Sequence, residues 1–214
     1  MSLLCGPAAG TVGSTTAARV PCVDGRGRTM GRPEHSGNGY DRAVTAGGTR
    51  ALDLITRAGV EHRLHGYQSP DRHGRERDGR PSYGIEAATA LGVPADRVLK
   101  TLVASVDGRL VMAVVPADGE LDLKRLAGVV GGRRADLVEP VEAERATGYV
   151  VGGISPLGPR RPLPVVIEAA ALDHETVFVS AGRRGLQVEL APGDLVRLSG
   201  ARAAVIARDR PEVS

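Results

Sequence analysis

The stretch VLKTLVASVDGRLVMAVVP, residues 98–116, sets two apolar runs on either side of the dipeptide Asp107-Gly108. Asp-Gly is among the strongest signals for a two-residue hairpin turn, because both residues tolerate the positive φ that such a turn requires. The flanking runs are rich in valine and leucine, and the β-branched valines favour strands. The stretch therefore predicts an antiparallel pair with strands over residues 98–106 and 109–115.

The segments around this hairpin alternate between helical and strand patterns. Thr49 is an N-cap residue type, an apolar face follows it, and Gly59 ends the pattern, which predicts a helix. A strand is predicted over residues 62–67, in which His65 and Tyr67 share a face. Further helices are predicted over residues 82–91, 123–130, 142–146 and 193–198, and short strands over 137–138, 149–151, 165–167, 176–180, 186–190 and 203–206. Hairpin pairing with intervening helices predicts a mixed α/β (α+β) fold with helices packed on a sheet.

Length and composition exclude several classes of protein. The chain has 214 residues, of which 42% are hydrophobic and 25% charged, so a wholly disordered or fibrous chain is excluded. Aromatic residues make up 2%, which excludes a platform that stacks several nucleic-acid bases. Residues 1–45 lack apolar periodicity and are predicted to be a flexible N-terminal extension. Residues 46–210 are predicted to form one folded domain.

The basic residues are nearly all arginines. Of 28 Lys and Arg residues only Lys100 and Lys124 are lysines. The net charge of +3 invites a polyanionic partner, but residues 1–45 hold five arginines against three acidic residues, which leaves the remainder nearly neutral. Any polyanion contact must then come from local clusters. The candidates are the pairs Arg133-Arg134, Arg160-Arg161 and Arg183-Arg184, although such pairs more often lie on an ordinary solvated surface.

Standard catalytic and metal-binding motifs are missing from the sequence. It contains no Walker-type phosphate loop, dinucleotide fingerprint, zinc-protease motif or nucleophile elbow. Both cysteines, Cys5 and Cys22, fall in the predicted extension, which excludes a disulfide framework and fits a reducing compartment. No histidine has a neighbouring ligand at metal spacing, and no apolar run reaches the length of a membrane span. We expect a cytoplasmic protein with no metal, no cofactor and no membrane contact.

Two glycine-rich segments and one lysine are the candidates for chemistry. Residues 148–158, GYVVGGISPLG, interrupt an apolar run with glycines, which lets backbone approach a ligand and present N–H donors. Residues 180–185, SAGRRG, add a hydroxyl and two arginines. Lys100 lies inside a predicted strand, where its side chain either faces solvent or projects into a cleft. In a chain with so few lysines, a compact ammonium can do what a planar guanidinium cannot.

The order and the sequences of these segments resemble those of the YbaK/EbsC family of aminoacyl-tRNA deacylases. This family is related to the editing domain inserted in bacterial prolyl-tRNA synthetase. The resemblance spans about residues 50–208. Its carriers are HGY (65–67), YGIEAATALG (83–92), VLKTLV (98–103), MAVVPADGELDLKRLA (112–127), TGYVVGGISPLG (147–158), VFVSAGRRGLQVEL (177–190) and AAVIAR (203–208). So many segments in one order make the resemblance specific.

The resemblance implies a strongly curved mixed central sheet and a set of site residues. Lys100 matches the essential lysine of the family, and Gly152 and Gly153 match its glycine loop, so these three are the expected catalytic residues. The expected substrate-binding residues are Tyr67, Thr101, Ile154, Ser155, Pro156, Ser180, Gly182 and Arg183. Two departures are visible: residues 71–81 form a loop longer than usual, and Arg183 stands where a lysine is common.

The resemblance also implies trans-editing of misacylated tRNA, and the GGISPLG sequence is most similar to the branch of the family that acts on Cys-tRNA(Pro). The thiol of the cysteinyl group would attack its own ester carbon, so the protein would mainly position and stabilise. The expected partners are the acceptor end of misacylated tRNA and prolyl-tRNA synthetase. Two alternatives stay open: the same fold acting on Ala-tRNA(Pro), or a noncatalytic module that binds aminoacyl-tRNA or the synthetase.

Overall fold

The computed structural model describes residues 48–68 and 83–208. The predicted extension over 1–45, the predicted cap at Ser82 and the loop over 71–81 lie outside these ranges. The helices are α1 (Arg50–Ala58), α2 (Tyr83–Leu91), α3 (Leu123–Val129), α4 (Pro140–Thr147) and α5 (Pro192–Ser199). The strands are β1 (His62–Gly66), β2 (Leu99–Val106), β3 (Arg109–Pro116), β4 (Glu120–Leu121), β5 (Ala135–Leu137), β6 (Val165–Glu168), β7 (Val177–Ser180), β8 (Leu186–Leu190), β9 (Arg202–Ala204) and β10 (Ala207–Arg208).

The strands form two main sheets and one small pair. The larger sheet has the order β5-β2-β3-β6-β9, in which β6 lies parallel to both β3 and β9, so this sheet is mixed. The second sheet has the order β1-β8-β7 and is antiparallel throughout. β4 and β10 pair separately. A single parallel bridge between Val98 and Phe178 joins the start of β2 to β7.

The hairpin that anchors the fold forms where the sequence predicts it. β2 and β3 pair from Leu99 opposite Pro116 to Val106 opposite Arg109, and Asp107 and Gly108 both have positive φ, 47° and 83°. The predicted cap of α1 is also confirmed, because the Thr49 hydroxyl accepts a hydrogen bond from the Leu52 amide at 3.2 Å. These features depend on neighbouring residues alone, which is why sequence suffices for them.

The predicted strand over 149–151 is wrong. This segment is a turn in which the Gly153 amide donates to the Val150 carbonyl oxygen at 2.9 Å. Tyr149 extends from it and donates its hydroxyl to the Leu157 and Gly158 carbonyl oxygens at 2.8 and 2.9 Å. The Val151 amide, which a strand would pair with a neighbour, donates instead to Glu144 Oε1 at 2.8 Å, and the β-branched residues alone could not reveal this.

The predicted strand over 203–206 is also displaced. β9 ends at Ala204, and after Val205 the amides of Ile206 and Ala207 donate to the buried carboxylate of Glu168 at 2.7 and 2.5 Å. The strand therefore ends before β10, because the Glu168 side chain of β6 accepts the amide hydrogen bonds that a longer strand would have formed.

The two faces of the β1-β8-β7 sheet pack against different layers. Alternate residues such as Val179, Val188 and Leu190 enter the largest apolar core, together with Ile55 of α1. On the opposite face Phe178 packs with Val98, Ala87, Ala88 and Ala117, so α2 covers this side. Within the described ranges no helix is long and apolar enough to cross a membrane.

Candidate active site

Lys100 is half-buried on the face of β2 that α2 covers. An ideal Cβ at Gly84 would lie 3.8 Å from the Cβ of Lys100 and 2.8 Å from that of Ala117, so the first turn of α2 packs closely here. The Lys100 ammonium donates to the Ala117 carbonyl oxygen at 3.1 Å. Of the two orientations that the sequence left open, the structure therefore gives one beneath a helix rather than an open solvent face.

The first turn of α2 also contacts the glycine loop. The Tyr83 ring lies 3.0 Å from the position of a Cβ at Gly152, and the guanidinium of Arg184 lies over the same ring at 5.1 Å. Arg184 Nε donates to the Val151 carbonyl oxygen at 2.7 Å. Because Tyr83 and Gly84 are adjacent, α2 brings the glycine loop and Lys100 to one place.

Gly153 lies directly on the backbone that follows Ser180. A Cβ at this position would lie 2.8 Å from the carbonyl carbon of Arg183 and 2.9 Å from the amide nitrogen of Arg184. The two glycine-rich segments that the sequence singled out are therefore in contact, and a side chain at Gly153 would separate them. The N–H of Gly153 is occupied by Val150, whereas within the described ranges the N–H of Gly152 donates to no protein group.

Tyr67 forms the opposite wall, next to polar groups that the sequence did not single out. Its N–H donates to the Gly185 carbonyl oxygen at 2.9 Å, so it continues β1 alongside β8. Burial is the main cause that raises the pKa of the Tyr67 phenol above 10.0; Gln187 opposes this shift and the charge of Glu86 adds to it. The phenol is therefore a neutral hydrogen-bond donor at neutral pH.

Ser180 completes the polar side of the sheet. It lies opposite Gln187 in the β7–β8 register, and its hydroxyl accepts a hydrogen bond from the Gly182 amide at 3.3 Å. Both side chains are buried, with Ser180 8% and Gln187 6% exposed. The Gln187 side-chain oxygen has no hydrogen-bond partner in the described part of the chain. Such a buried acceptor is costly unless something binds it.

The remaining predicted site residues lie around this centre or behind it. The side chain of Thr101 belongs to the face of β2 opposite Lys100, and its hydroxyl oxygen is buried. Ile154 joins the large core, and Ser155 is fully buried with its hydroxyl accepting from the Leu157 amide at 3.2 Å. Pro156 is buried as well. Of these four, Thr101 lies on the face of β2 away from Lys100, and Ile154, Ser155 and Pro156 are buried in the segment that follows the two glycines.

Gly182 and Arg183 lie at the edge of the site. A Cβ at Gly182 would lie 2.7 Å from the Tyr149 ring and 3.1 Å from Thr49, so this glycine allows the segment to pack onto α1. Arg183 contributes its backbone to the contact with Gly153.

Sequence reasoning missed Tyr83, Glu86 and Gln187. Gln187 sits inside an apolar strand, LQVEL, and a polar residue there is a usable signal. The other two depend on how α2 docks onto the sheet, which no local pattern encodes.

Two open clefts in the described part of the chain lie elsewhere. One of about 580 Å³ is lined by residues 128–131, 164–166, Gly200 and Arg202. Another of about 340 Å³ is lined by Leu110, Glu139, Val141, Glu142, Arg145, Ala146 and Arg161. The first has a single charged residue and no convergent polar groups, so volume alone does not mark a reaction site there.

Comparison with known proteins points to one family. Residues 81–198 match the aminoacyl-tRNA editing domain. EbsC of Enterococcus faecalis, assigned as a Cys-tRNA(Pro)/Cys-tRNA(Cys) deacylase, is 38% identical over 121 residues, which are 56% of this chain and 73% of EbsC. The multifunctional Ser/Thr-tRNA deacylase ProXp-y of Escherichia coli K12 is 34% identical over 116 residues, 52% of this chain and 67% of that protein.

The match to a synthetase concerns a small part of a large protein. Proline–tRNA ligase of Acidithiobacillus ferrooxidans is 32% identical over 87 residues, which are 41% of this chain but 15% of the ligase. The similarity therefore does not extend to the whole ligase.

Solved structures share the fold. A structure assigned as a trans-editing enzyme for prolyl tRNA synthetase superposes with a TM-score of 0.61 at 24% identity, covering 74% of this chain and 95% of that one. The crystal structure of a hypothetical protein gives a TM-score of 0.65 at 27% identity, covering 75% and 100%. The predicted mixed α/β architecture with packed helices is confirmed.

Proposed function

Because this chain belongs to the aminoacyl-tRNA editing domain family, we propose that it is a trans-editing deacylase that removes cysteine from misacylated Cys-tRNA(Pro). Its relatives carry names of aminoacyl-tRNA deacylases, which favours an enzyme over a noncatalytic binding module. Cysteine is the preferred amino acid because EbsC, the relative with the Cys-tRNA assignment, matches at higher identity and over more residues than ProXp-y.

The observation that carries the proposal is that the first turn of α2 contacts both candidates: Gly84 packs beside Lys100, and the Tyr83 ring packs against Gly152. An ammonium in a half-buried site interacts strongly with developing negative charge, since water screens it less than at the surface. Lys100 would stabilise the ester oxygens, or hold the phosphate of the terminal adenosine, at the cost of its bond to the Ala117 carbonyl. The Gly152 N–H, which donates to no group of the described residues, would donate to the ester carbonyl oxygen.

The substrate supplies the nucleophile in this proposal. The sulfur of the cysteinyl side chain attacks the ester carbon, the bond from that carbon to the ribose oxygen breaks, and the thiol proton passes to that oxygen. The products are deacylated tRNA and a four-membered thiolactone. Neither a cysteine nor a histidine base is needed beside Lys100, and holding sulfur and ester together accounts for much of the rate.

Arginines around the glycine loop are suited to the phosphates of the acceptor end. Arg160 packs at Gly148, with its amide bonded to the Thr147 carbonyl oxygen at 2.7 Å, and Arg161 is exposed beside it. In the described part of the chain neither side chain has a hydrogen bond or ion pair. Arg134, at the far end of the hairpin, is instead paired with Asp136 at 2.9 Å. We propose that the pair at 160–161, rather than the pair at 133–134, contacts tRNA.

The test is a comparison of deacylation rates on tRNA(Pro) charged with cysteine, serine, alanine or proline. Serine differs from cysteine by oxygen in place of sulfur, so it is the matched control for attack by the side chain. We expect Cys-tRNA(Pro) to be hydrolysed fastest by at least about a hundredfold over Ser-tRNA(Pro) and Ala-tRNA(Pro). Equal rates on Cys- and Ala-tRNA(Pro) would reject substrate assistance, and a higher rate on Ala-tRNA(Pro) would favour an alanine-specific editor.

A further inference from the structure

A cluster of polar side chains lies beside the proposed site and takes no part in the chemistry above. Glu189 of β8 is at its centre, with Oε2 2.9 Å from His65 Nε2 and Oε1 accepting a hydrogen bond from the Thr176 hydroxyl at 2.7 Å. Arg97 approaches the same carboxylate to 3.5 Å and donates through Nε to the Thr176 carbonyl oxygen at 3.1 Å. We call Arg97, His65, Thr176 and Glu189 the Glu189 cluster.

The Glu189 cluster surrounds Phe178, the aromatic residue at the junction of the two sheets. The Arg97 guanidinium lies over the Phe178 ring at 5.2 Å, and the His65 ring meets it edge-on at 5.2 Å with an angle of 62°. Partial burial opposes the charge on Glu189, but the hydrogen bonds from Thr176 and His65 outweigh it and lower the pKa of this carboxyl. Glu189 is therefore ionised at neutral pH and able to hold Arg97.

Three residues of the Glu189 cluster and its surroundings, His65, Phe178 and Glu189, each lie two positions along the chain from a residue of the proposed site. Side chains two residues apart share a face of a strand, so the cluster and the site are adjacent layers on the α2 side. The pairs are Phe178 and Ser180 on β7, Glu189 and Gln187 on β8, and His65 of β1 with Tyr67, which follows β1 and stays bonded to Gly185 beside β8. Arg97 and the bridged Val98 directly precede β2, the strand that carries Lys100.

The junction between β2 and β7, which the Glu189 cluster spans, has little backbone pairing. Among the described residues, β2 and β7 share the single bridge of Val98 with Phe178, and beyond it β2 pairs with β3 and β5 while β7 pairs with β8. One bridge fixes a point of contact, so the angle between the two strands depends on side-chain packing rather than on backbone pairing. That angle sets how far Lys100 lies from Ser180.

We propose that Glu189 is a positioning residue that, through Arg97 and His65, holds the strand carrying Lys100 against the wall formed by Tyr67 and Ser180. It acts on the rate of ester cleavage without touching the substrate. The proposal rests on the deacylase function but on no particular amino acid. A misplacement of about 1 Å between reacting groups is enough to lower a rate by about a hundredfold.

The experiment compares Glu189→Ala, Glu189→Gln and the matched control Glu120→Ala. Glu120 is also a glutamate 2.9 Å from an arginine, Arg208, but that pair is exposed and joins β4 to β10. Kinetics use whichever misacylated tRNA(Pro) the wild-type protein hydrolyses, with kcat and KM measured separately. Backbone hydrogen exchange at residues 98–101 and 178–180 supplies a readout that needs no substrate.

We expect Glu189→Ala to lower kcat about ten- to a hundredfold with KM within about twofold, and to speed exchange at the junction while β3 and β6 stay protected. Glu189→Gln keeps an acceptor for the Thr176 hydroxyl but loses the charge that holds Arg97, so its kcat should lie between those of Glu189→Ala and the wild type. Glu120→Ala should match the wild type.

Three results would overturn the proposal. One is wild-type kcat in a folded Glu189→Ala protein whose junction exchanges faster, since this would make the cluster merely structural. Another is a rise in KM alone, which would place Glu189 in contact with tRNA. The third is unchanged exchange at the junction in Glu189→Ala, which rejects the positioning role whether or not the wild-type protein is a deacylase. Absence of deacylase activity in the wild-type protein would by itself reject only the proposed function.

Discussion

On one face of the β1-β8-β7 sheet, Val179, Val188 and Leu190 are buried in the apolar core; on the other face their chain neighbours Ser180 and Gln187 are almost as buried but polar. The same strands thus build a core and a candidate site, separated only by the alternation of side chains. Burial on the core face stabilises the fold through removal of apolar surface from water. Burial on the α2 face instead strengthens the interactions of Lys100 and of the hydrogen-bonding groups beside it. Substitutions on the two faces should therefore fail in different ways.

Substitution of Lys100 should have the largest effect, and it should lower the deacylation rate without lowering stability. Lys100→Ala should reduce single-turnover deacylation by about a thousandfold or more, because the proposed mechanism places this ammonium at the reacting ester. Circular dichroism and the melting temperature should show a folded protein. The other lysine offers a matched control, since Lys124 is exposed on α3, and Lys124→Ala should leave the rate unchanged.

Replacement of Gly153 should damage the site through the backbone. The new methyl of Gly153→Ala would lie within 2.9 Å of backbone atoms of Arg183 and Arg184, so the two glycine-rich segments must move apart. We expect kcat to fall about tenfold or more together with a loss of stability of about 1–3 kcal/mol. Gly193→Ala is the control, because nothing lies within 4 Å of its new methyl. Equal activity of both variants would exclude a role for the Gly153 contact.

Removal of charge beside the glycine loop should weaken tRNA binding and spare the chemical step. Arg160→Ala combined with Arg161→Ala should raise KM several-fold with kcat retained. The slope of log KM against log salt should fall by about 0.7 for each arginine that meets a phosphate of a single strand. The same double substitution at Arg133 and Arg134 should change neither KM nor the dependence of KM on salt. If the Arg133-Arg134 variant loses affinity instead, the tRNA lies at the hairpin end of the molecule.

A large truncation on the core face should cost stability but not turnover. Leu190→Ala removes a side chain that is 2% exposed, and we expect a loss of about 2–5 kcal/mol in the free energy of unfolding. At a temperature where the variant is folded, kcat should stay within about twofold of wild type. A kcat loss like that of Lys100→Ala would show that the two faces are not separable.

The smallest expected effect is the alkaline behaviour of Tyr67. Burial raises its folded pKa above the ordinary 10.0, so its contribution to stability is complete below pH 10 and is lost as pH rises through the folded value. Denaturant unfolding at several alkaline pH values should show a shallower decline above pH 10 for Tyr67→Phe than for wild type. An identical slope would mean that the phenol does not resist ionisation in the folded state.

The parts of the fold that sequence predicted are those determined by neighbouring residues. Asp107-Gly108 fixes the hairpin and Thr49 caps α1, since each acts within three or four residues. The segment 149–151 looked like a strand because its β-branched residues suit one. Whether backbone pairs with a strand or with side chains such as Tyr149 depends on what lies opposite, and that is set by the tertiary fold.

The candidate site was predictable to the extent that single residues stood out in the sequence. Lys100 was conspicuous through lysine scarcity and the glycine loop through composition, and the structure brings both to α2. Gln187 and Glu86 could not be paired with Tyr67 from sequence, because their proximity depends on strand register and helix docking. Thr101, next to Lys100 in the chain, lies on the other face for the same geometric reason.

The most direct measurement of the central claim is a map of where the aminoacyl end binds. A 3′-cysteinyl-adenosine analogue with an amide in place of the ester cannot be cleaved, and backbone amide chemical shifts report its position. We predict the largest changes at Lys100, Gly152, Ser180 and Gln187, all on the α2 face. Changes confined to the 580 Å³ cleft around Val129 and Arg202, with Lys100 unaffected, would contradict the account.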